Sequence, residues 1–286
     1  MSHSLAGARI LMSGGSRGIG RAIALRCARD GARVALLAKT DRPHPVLPGT
    51  VHTVVEEIEA AGGQGLAIVG DVRQDEAVAR AVAATVDAFG GIDIVVNNAS
   101  AIDLSRSPDL TMKKLDLLLD VEIRGTFGLT KAALPHLIEG NNPQVLTLSP
   151  PISDDVAWYG RHLGYTIAKF GMSMCTIGFA EELREHGVAA NSLWPRTLIA
   201  TAAVENVVGG GDSLRRARTP EIMADAAHVI LTQESCECTG RFFVDDEVLW
   251  DAGVRDLSGY RAFPGSGEEL EVDLFLPREP VVDVRD

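Results

Sequence analysis

The sequence has few aromatic residues, few cysteines and no long apolar run. Phe, Trp and Tyr make up 5% of the 286 residues, and four cysteines are scattered along the chain. No stretch approaches the ~18 consecutive apolar residues that a membrane-spanning helix needs. The one close cysteine pair, Cys236 and Cys238, is too small a set for a four-ligand zinc site. We therefore predict reduced thiols, no metal site and no transmembrane segment.

Basic charge is also scarce. The chain has 27 Lys and Arg against 39 Asp and Glu, a net charge of −12. Sequence-independent nucleic-acid binding and attachment to anionic membranes both need a basic surface, so neither is expected. Residues 1–5 lack the basic-then-apolar layout of a signal peptide, and the cytoplasm is the predicted location. The hydrophobic content of 46% is ample for a globular core.

Short apolar runs alternate with helical patterns, as in an α/β protein. Buried parallel strands read as continuous apolar runs because helices cover both faces of the sheet. The predicted strands are residues 8–13, 33–38, 66–69, 92–96, 145–148, 188–193 and 241–244, and the predicted helices are residues 19–30, 54–61, 75–89, 115–137 and 168–185. This order predicts a single Rossmann-type domain, a doubly wound parallel sheet with helices on both faces, over residues 1–257.

Two segments do not fit the alternation. Residues 41–48 contain three prolines and predict a stiff loop. Residues 258–286 mix charges, prolines and a short apolar run. They predict a C-terminal tail that packs on the domain or on a neighbouring subunit, with a frayed end.

A glycine-rich loop joins the first predicted strand to the first helix. Gly14 suits a tight turn, Gly18 a close approach of backbone to a pyrophosphate, and Gly20 a close contact between helix and strand. The helix that follows presents free N–H groups and a partial positive charge to phosphates. Ser16 and Ile19 lie in the same loop, which predicts a dinucleotide site.

The residue after the second strand bears on which dinucleotide binds. An acid there would bind the ribose 2′-hydroxyl of NAD, whereas a base suits the 2′-phosphate of NADP. Lys39 occupies this position and Arg17 adds a second cation, so NADP is predicted, with NAD still possible through Asp41. The alternative is that both cations are solvated surface charges.

Two further strand ends belong to the predicted cofactor site. Asp71 and Val72, after the third strand, can give the adenine a hydrogen bond and an apolar wall. Asn98, after the fourth strand, leaves room for the cofactor to lie across the sheet. Either feature alone is more often plain capping of a strand end.

Tyr165 and Lys169 are four residues apart in a predicted helix, so they share one face. A phenol is a poor acid or base near neutrality unless its pKa of ~10 is lowered. A nearby cation favours the phenolate, and Lys169 could also bind the nicotinamide ribose. Alone, this spacing more often describes a core tyrosine and a solvated lysine.

Taken together, these motifs resemble the short-chain dehydrogenase/reductase family, over roughly residues 5–250. Residues 41–49, 148–151, 165–174 and 193–197 are most similar to its hydroxysteroid-dehydrogenase-like branch. The resemblance implies a seven-stranded sheet, an NAD(P) cofactor, carbonyl–alcohol redox and a homodimer or homotetramer. It implies Tyr165 as the catalytic acid/base and Lys169 as its partner.

The family's catalytic serine has no clear equivalent here. The family places it about a dozen residues before the tyrosine. Ser149 ends the fifth strand but lies 16 residues before Tyr165, and Pro150 follows it. Ser153, 12 residues before Tyr165, is a second candidate. We predict Ser149 for the role, and the alternatives are Ser153 or no serine at all.

Two other residues depart from the family pattern. Glu122 stands where the family has an asparagine that orders a relay water, and it brings a negative charge towards Lys169. Arg196 replaces a glycine beside the nicotinamide and could approach the cofactor, bind an acidic substrate or form a surface ion pair. Residues 198–218 correspond to the family's substrate lid, and their alanines suggest an apolar substrate.

The predicted function is an NADP-preferring oxidoreductase that acts on a small carbonyl or alcohol. The rival is a non-catalytic NADP(H)-binding or sensor protein on the same fold, favoured by the irregular serine and by Glu122. An epimerase or dehydratase is less expected, because nothing in the sequence marks a nucleotide-sugar site.

Overall fold

The computed structural model describes residues 4–43, 49–205, 210–265 and 267–285. Its sheet has seven parallel strands in the order β3-β2-β1-β4-β5-β6-β7. The strands are β1 Arg9–Ser13, β2 Arg33–Ala38, β3 Gln64–Val69, β4 Ile94–Asn97, β5 Gln144–Thr147, β6 Ala189–Trp194 and β7 Phe242–Val244. The predicted α/β fold is confirmed.

The α-helices of the described part follow in chain order. They are α1 Gly18–Arg29, α2 Val51–Ala60, α3 Asp75–Phe89, α4 Met112–Leu119, α5 Gly125–Leu137, α6 Val156–Arg161, α7 Leu163–Glu182, α8 Gly210–Arg215, α9 Glu221–Leu231 and α10 Asp245–Asp251. Among the described residues no helix is long and apolar enough to cross a membrane.

Two apolar layers cover the sheet, one on each face. Side chains alternate across a strand, so Ile10 and Met12 pack in one layer and Leu11 packs in the other. The first layer includes residues of α1, α2 and α9, and the second includes residues of α3, α5 and α7. Helices on both faces leave the carboxyl ends of the strands as the open edge, which is where such folds bind ligands.

Several boundaries differ from the prediction for local reasons. Helix α2 begins at Val51, three residues earlier than predicted, because Thr50 caps it by accepting a hydrogen bond from the Thr53 backbone N–H at 3.1 Å. The predicted helix 115–137 begins at Met112, where Thr111 is the cap, and contains one π-helical turn, Asp120–Arg124. Helices α6, α8, α9 and α10 were not predicted.

The predicted proline loop lies partly outside the described residues, which end at Pro43 and resume at Gly49. Gly49 adopts a left-handed φ of 87°, and its Cα lies so close to the Ser16 carbonyl that a Cβ would overlap it. The end of this segment therefore adjoins the glycine-rich loop.

Candidate active site

The glycine-rich loop leaves β1 and turns into α1 through left-handed backbone. Gly14 has φ 79° and Gly18 has φ 57°, values that disfavour any residue with a Cβ. A Cβ on Gly14 would lie 2.5 Å from the Asn98 amide nitrogen. Helix α1 has no side-chain cap and no acid in its first turn. Its free N–H groups and close backbone fit a pyrophosphate.

Basic side chains and the Asp71 carboxylate lie close together at the ends of the second and third strands. The Lys39 ammonium is 61% exposed and lies 3.8 Å from the Asp71 carboxylate. Asp71 also binds the Arg73 guanidinium at 2.7 Å, and this hydrogen bond is the main cause that lowers its pKa. Arg17 donates a hydrogen bond to the Thr40 hydroxyl at 3.1 Å. The two predicted cations, Arg17 and Lys39, thus lie at one end of the cleft.

Tyr165 and Lys169 lie in the first two turns of α7, with 4% and 3% of their surfaces exposed. The Lys169 ammonium donates to the Leu148 carbonyl at 3.1 Å and lies 5.4 Å from the Trp194 ring centre. Helix α7 begins at Leu163, five residues before the predicted start, and α6 precedes it. Both predicted catalytic side chains are therefore buried, and packing fixes their positions.

Glu122 forms the ion pair that its position suggested. Its carboxylate is fully buried in the π-helical turn and lies 3.0 Å from the Lys169 ammonium. The other oxygen accepts hydrogen bonds from the Ser100 hydroxyl at 2.6 Å and from the Ala101 backbone N–H at 2.9 Å. Turns of π-helix often occur at functional sites, since the extra residue redirects a side chain.

The pKa of Tyr165 moves in the direction opposite to the one predicted. Burial raises it well above 10, and the negative charges of Glu122 and Asp273 raise it further. Burial is the largest cause, because a charged phenolate is disfavoured in an apolar environment. The phenol is therefore protonated at neutral pH.

The two candidate serines do not line the cavity at the carboxyl ends of the strands, on whose wall Tyr165 lies. Ser149 is fully buried, and its hydroxyl has no hydrogen-bond partner among the described residues. Ser153 is partly exposed, and its hydroxyl accepts a hydrogen bond from the Asp155 backbone N–H at 3.1 Å. In this conformation neither hydroxyl reaches the cavity wall, so the serine role of Ser149 stays a prediction that the geometry does not support.

Arg196 forms an ion-pair cluster at the end of β6. Its guanidinium binds Asp246 at 3.2 Å and also Glu247, and its backbone N–H donates to the Asp245 carboxylate at 2.8 Å. Pro195 lines the cavity, whereas Arg196 does not. Of the three predicted alternatives, the structure has the ion pair.

One cavity of about 650 Å³ lies at the carboxyl ends of the strands and is lined by the segments that follow the neighbouring strands β1 and β4. This is the topological switch point of the sheet, the usual ligand position in such folds. Every residue predicted to contact the cofactor lines it: Gly14, Ser16, Arg17, Gly18, Ile19, Gly20, Lys39, Asp71, Val72, Asn98, Tyr165 and Lys169. Residues 198–204 of the predicted lid line the cavity too, whereas residues 206–209 lie outside the described part.

Two residues of the C-terminal tail line the same cavity, and the sequence analysis missed them. Asp273 and Leu274 lie on its wall together with Trp194. The only signal was the apolar run at residues 274–276 in an otherwise charged tail, which indicated burial but not where.

This fold and cleft define a Rossmann-type dinucleotide-binding protein, and comparison with known proteins supplies the family. Residues 8–235 match the short chain dehydrogenase family. The chain belongs to this family of oxidoreductases, whose members bind a nicotinamide cofactor.

Individual relatives agree with this assignment. The chain is 48% identical over 276 residues to hydroxysteroid dehydrogenase-like protein 2 of Danio rerio, a match that covers 96% of this chain and 65% of the relative. A short chain dehydrogenase structure from Mycobacterium thermoresistibile has a TM-score of 0.90 and 52% identity, covering 96% of each chain. Carveol dehydrogenase from Mycobacterium avium, solved with NAD, has a TM-score of 0.72 over 85% of this chain and 97% of its own. At 22% identity it shows the fold alone. The chain thus spans about two thirds of its zebrafish relative.

Proposed function

We propose that this chain interconverts a carbonyl compound and a secondary alcohol, with NADP(H) as cofactor and Tyr165 as acid/base. One observation carries the proposal: the uncapped glycine-rich loop and the Tyr165–Lys169 pair line a single cavity. The apolar residues of this cavity favour a small apolar substrate. The bound dinucleotide would supply or accept the hydride.

Tyr165 is the group suited to move the proton. Its raised pKa keeps the phenol protonated, so it is ready to donate to the oxygen of a carbonyl as hydride arrives at the carbon. In the oxidation direction the phenolate must form first. Lys169 lies one helical turn away and would stabilise that phenolate.

A buried chain of polar groups offers a route for the proton to return. The Lys169 ammonium is 3.0 Å from Glu122, and Glu122 accepts a hydrogen bond from the Ser100 hydroxyl at 2.6 Å. Ser100 lines the cavity and is exposed. Glu122 would therefore connect Lys169 to solvent through Ser100, where the family pattern has an asparagine and a water.

The preference for NADP is supported by charge at the adenosine end. Arg17 and Lys39 line that end of the cavity, and the acid that pairs with Lys39, Asp71, is also bound by Arg73. A 2′-phosphate would gain charge-assisted hydrogen bonds there. The NAD alternative through Asp41 is less favoured, because its carboxylate pairs with His52 at 2.8 Å.

We further propose a homodimer or homotetramer. Helices α5 and α7 expose large apolar side chains: Phe127, Ile167, Met174 and Ile177, each 46–64% exposed. Exposed apolar residues on adjacent helices commonly mark a contact surface, and a second copy of this chain is the occupant that the family resemblance implies.

The direct test is Tyr165→Phe, which removes the hydroxyl and keeps the packed ring. Turnover of any carbonyl substrate should fall by 10³-fold or more, while NADPH affinity, measured by fluorescence titration, stays within about twofold. Tyr159→Phe, whose hydroxyl donates to the Ser153 carbonyl outside the cavity, is the matched control. Retained turnover in Tyr165→Phe would refute Tyr165 as acid/base.

The alternative is a non-catalytic NADP(H)-binding protein on the same fold. The observation that favours it is the burial of Ser149 away from the cavity, where its hydroxyl cannot polarise a substrate carbonyl. This alternative predicts NADPH binding without substrate-dependent oxidation across a broad panel of ketones and aldehydes.

A further inference from the structure

The C-terminal tail returns to the cavity and is hydrogen-bonded to the segment that follows β6. The Leu198 N–H donates to the Glu271 carbonyl at 2.9 Å, and the Asp273 N–H donates to the Arg196 carbonyl at 3.0 Å. The Trp194 indole N–H then donates to the Leu274 carbonyl at 2.8 Å. These bonds place residue 273 on the cavity wall.

An aromatic cluster fixes the tail just beyond this point. The ring of Phe275 is buried, with its centre 6.0 Å from that of Tyr165 and 5.9 Å from that of Trp194. It also packs against Phe170 at 5.2 Å and Trp158 at 5.5 Å. Because four rings hold Phe275, the backbone two residues earlier has little freedom.

Asp273 is one of the residues that line the cavity. One oxygen accepts a hydrogen bond from the Leu274 backbone N–H at 2.6 Å. The other has no donor within the described part of the chain. Burial is the main cause that raises the pKa of Asp273 to about 7; the hydrogen bond from the Leu274 N–H and the Lys169 ammonium oppose the shift, while Asp245 and Glu271 add to it. Asp273 and Tyr165 line the same cavity, and the negative charge of Asp273 raises the pKa of Tyr165.

The surrounding wall is apolar. It is formed by side chains of Ile102, Leu104, Trp194, Leu198 and Leu274. A single carboxyl group on such a wall has a large effect on which ligands bind, because a ligand group that cannot pair with it is desolvated at a cost.

We propose that Asp273 is a specificity-determining residue, which accepts a hydrogen bond from a hydroxyl group on the carbon next to the reacting carbonyl and excludes substrates with a carboxylate there. The proposal rests on the proposed carbonyl–alcohol function of the same cavity. A hydroxyl can donate to the carboxyl group in either protonation state of Asp273. A substrate carboxylate instead meets like charge, or must bind a proton to enter.

Three aromatic ketones of similar shape test this: acetophenone, 2-hydroxyacetophenone and phenylglyoxylate. They carry a methyl, a hydroxymethyl and a carboxylate group next to the carbonyl. Dissociation constants are measured by equilibrium dialysis against the protein saturated with NADP⁺, and kcat/KM is measured with NADPH. The wild-type protein should prefer the hydroxyketone to acetophenone by about 10- to 100-fold, the range for one hydrogen bond to a charged group, and bind phenylglyoxylate most weakly.

Two variants separate the two parts of the proposal. Asp273→Ala should remove the preference for the hydroxyketone, and Asp273→Asn should relax the exclusion of phenylglyoxylate by about tenfold or more. Asn keeps an oxygen for the Leu274 N–H, so the local turn is retained. Glu279→Gln, an exposed change in the same tail, should alter neither. NADPH affinity and thermal unfolding of each variant check that the fold is intact.

The outcomes distinguish this inference from the proposed function. Turnover of carbonyls with the same order of probes in wild type and Asp273→Ala overturns the role of Asp273 alone. Binding of the probes in the Asp273-dependent order, without turnover of any carbonyl, overturns the proposed function and supports the role of Asp273. A wild-type protein that binds none of the three probes at millimolar concentration also overturns the inference.

Discussion

Replacement of Glu122 by Gln tests the ion pair beneath the proposed acid/base. The substitution removes one charge and keeps the side-chain length and one carbonyl oxygen. That oxygen can still accept from the Ser100 hydroxyl and the Ala101 N–H, which now bind Glu122 at 2.6 and 2.9 Å. The Lys169 ammonium, 3.0 Å from the lost charge, is left without its counter-ion.

Two effects of different kinds should follow. Loss of one partner of a buried ion pair leaves an uncompensated charge, and such changes typically cost about 3–5 kcal/mol of unfolding free energy. At the same time the pKa of Tyr165 should fall, because Glu122 is one of the charges that raise it. The bare Lys169 ammonium lowers it further, because an uncompensated positive charge favours the phenolate.

The sign of the pH effect follows from the direction of the reaction. Oxidation of an alcohol needs the phenolate of Tyr165, so its rate should rise with pH and level off above the pKa of that group. A lower pKa in Glu122→Gln moves this rise to lower pH. Reduction of a carbonyl needs the phenol, so the fall of its rate at high pH should move in the same direction.

The assay is kcat against pH in both directions, with urea denaturation to measure stability. Glu182→Gln, an exposed change near the end of α7, serves as the matched control and should leave both unchanged. A Glu122→Gln variant with an unshifted pH profile and wild-type stability would show that the pair with Lys169 is electrostatically unimportant, and would refute the reasoning.

Three more predictions follow. In fluorescence titrations, Lys39→Glu should weaken NADPH binding about 10- to 100-fold and improve NADH binding. Lys113→Glu, an exposed change on α4, should alter neither affinity. Equal effects of Lys39→Glu on both cofactors would contradict the charge argument. Burial raises the pKa of Asp245 to about 7 from 3.8. The folded state therefore retains this proton where the unfolded state has lost it, and stability falls from pH ~4 to 7 by at most ~4 kcal/mol. Asp245→Asn should remove that loss, so urea denaturation should find the variant more stabilised relative to the wild type at pH 8 than at pH 5. An equal difference at both pH values would contradict the prediction. Met174→Glu, at a side chain that is 64% exposed, should lower the mass measured by light scattering, and Val156→Glu, at an 80% exposed site on α6, should not.

The features that the sequence predicted well depend on residues close together in the chain. The turn at Gly14 and Gly18 needs left-handed backbone that glycine adopts readily, and this holds whatever the tertiary context. Tyr165 and Lys169 share a face because of helical periodicity alone. The parallel sheet followed from apolar runs separated by helical patterns. Local features of this kind can be predicted from the sequence alone.

The features that were missed depend on contacts between distant segments. Asp273 lies 108 residues after Tyr165, and its place on the cavity wall is set by Trp194 and Phe275. The direction of the Ser149 hydroxyl depends on the path of the chain into Pro150, which strand alignment does not reveal. The sign of the pKa shift at Tyr165 failed for the same reason, since it sums burial with charges from two other segments.

The charges around the site favour one direction of the proposed reaction. The Lys169 charge is matched by Glu122 at 3.0 Å, and both Glu122 and Asp273 raise the pKa of Tyr165. The phenol therefore starts protonated, which is the form that donates to a carbonyl oxygen. Oxidation would first have to remove that proton in a buried site beside the Glu122 carboxylate. Since burial and nearby negative charge raise the pKa of Tyr165, the protein near neutrality should reduce carbonyls more readily than it oxidises alcohols.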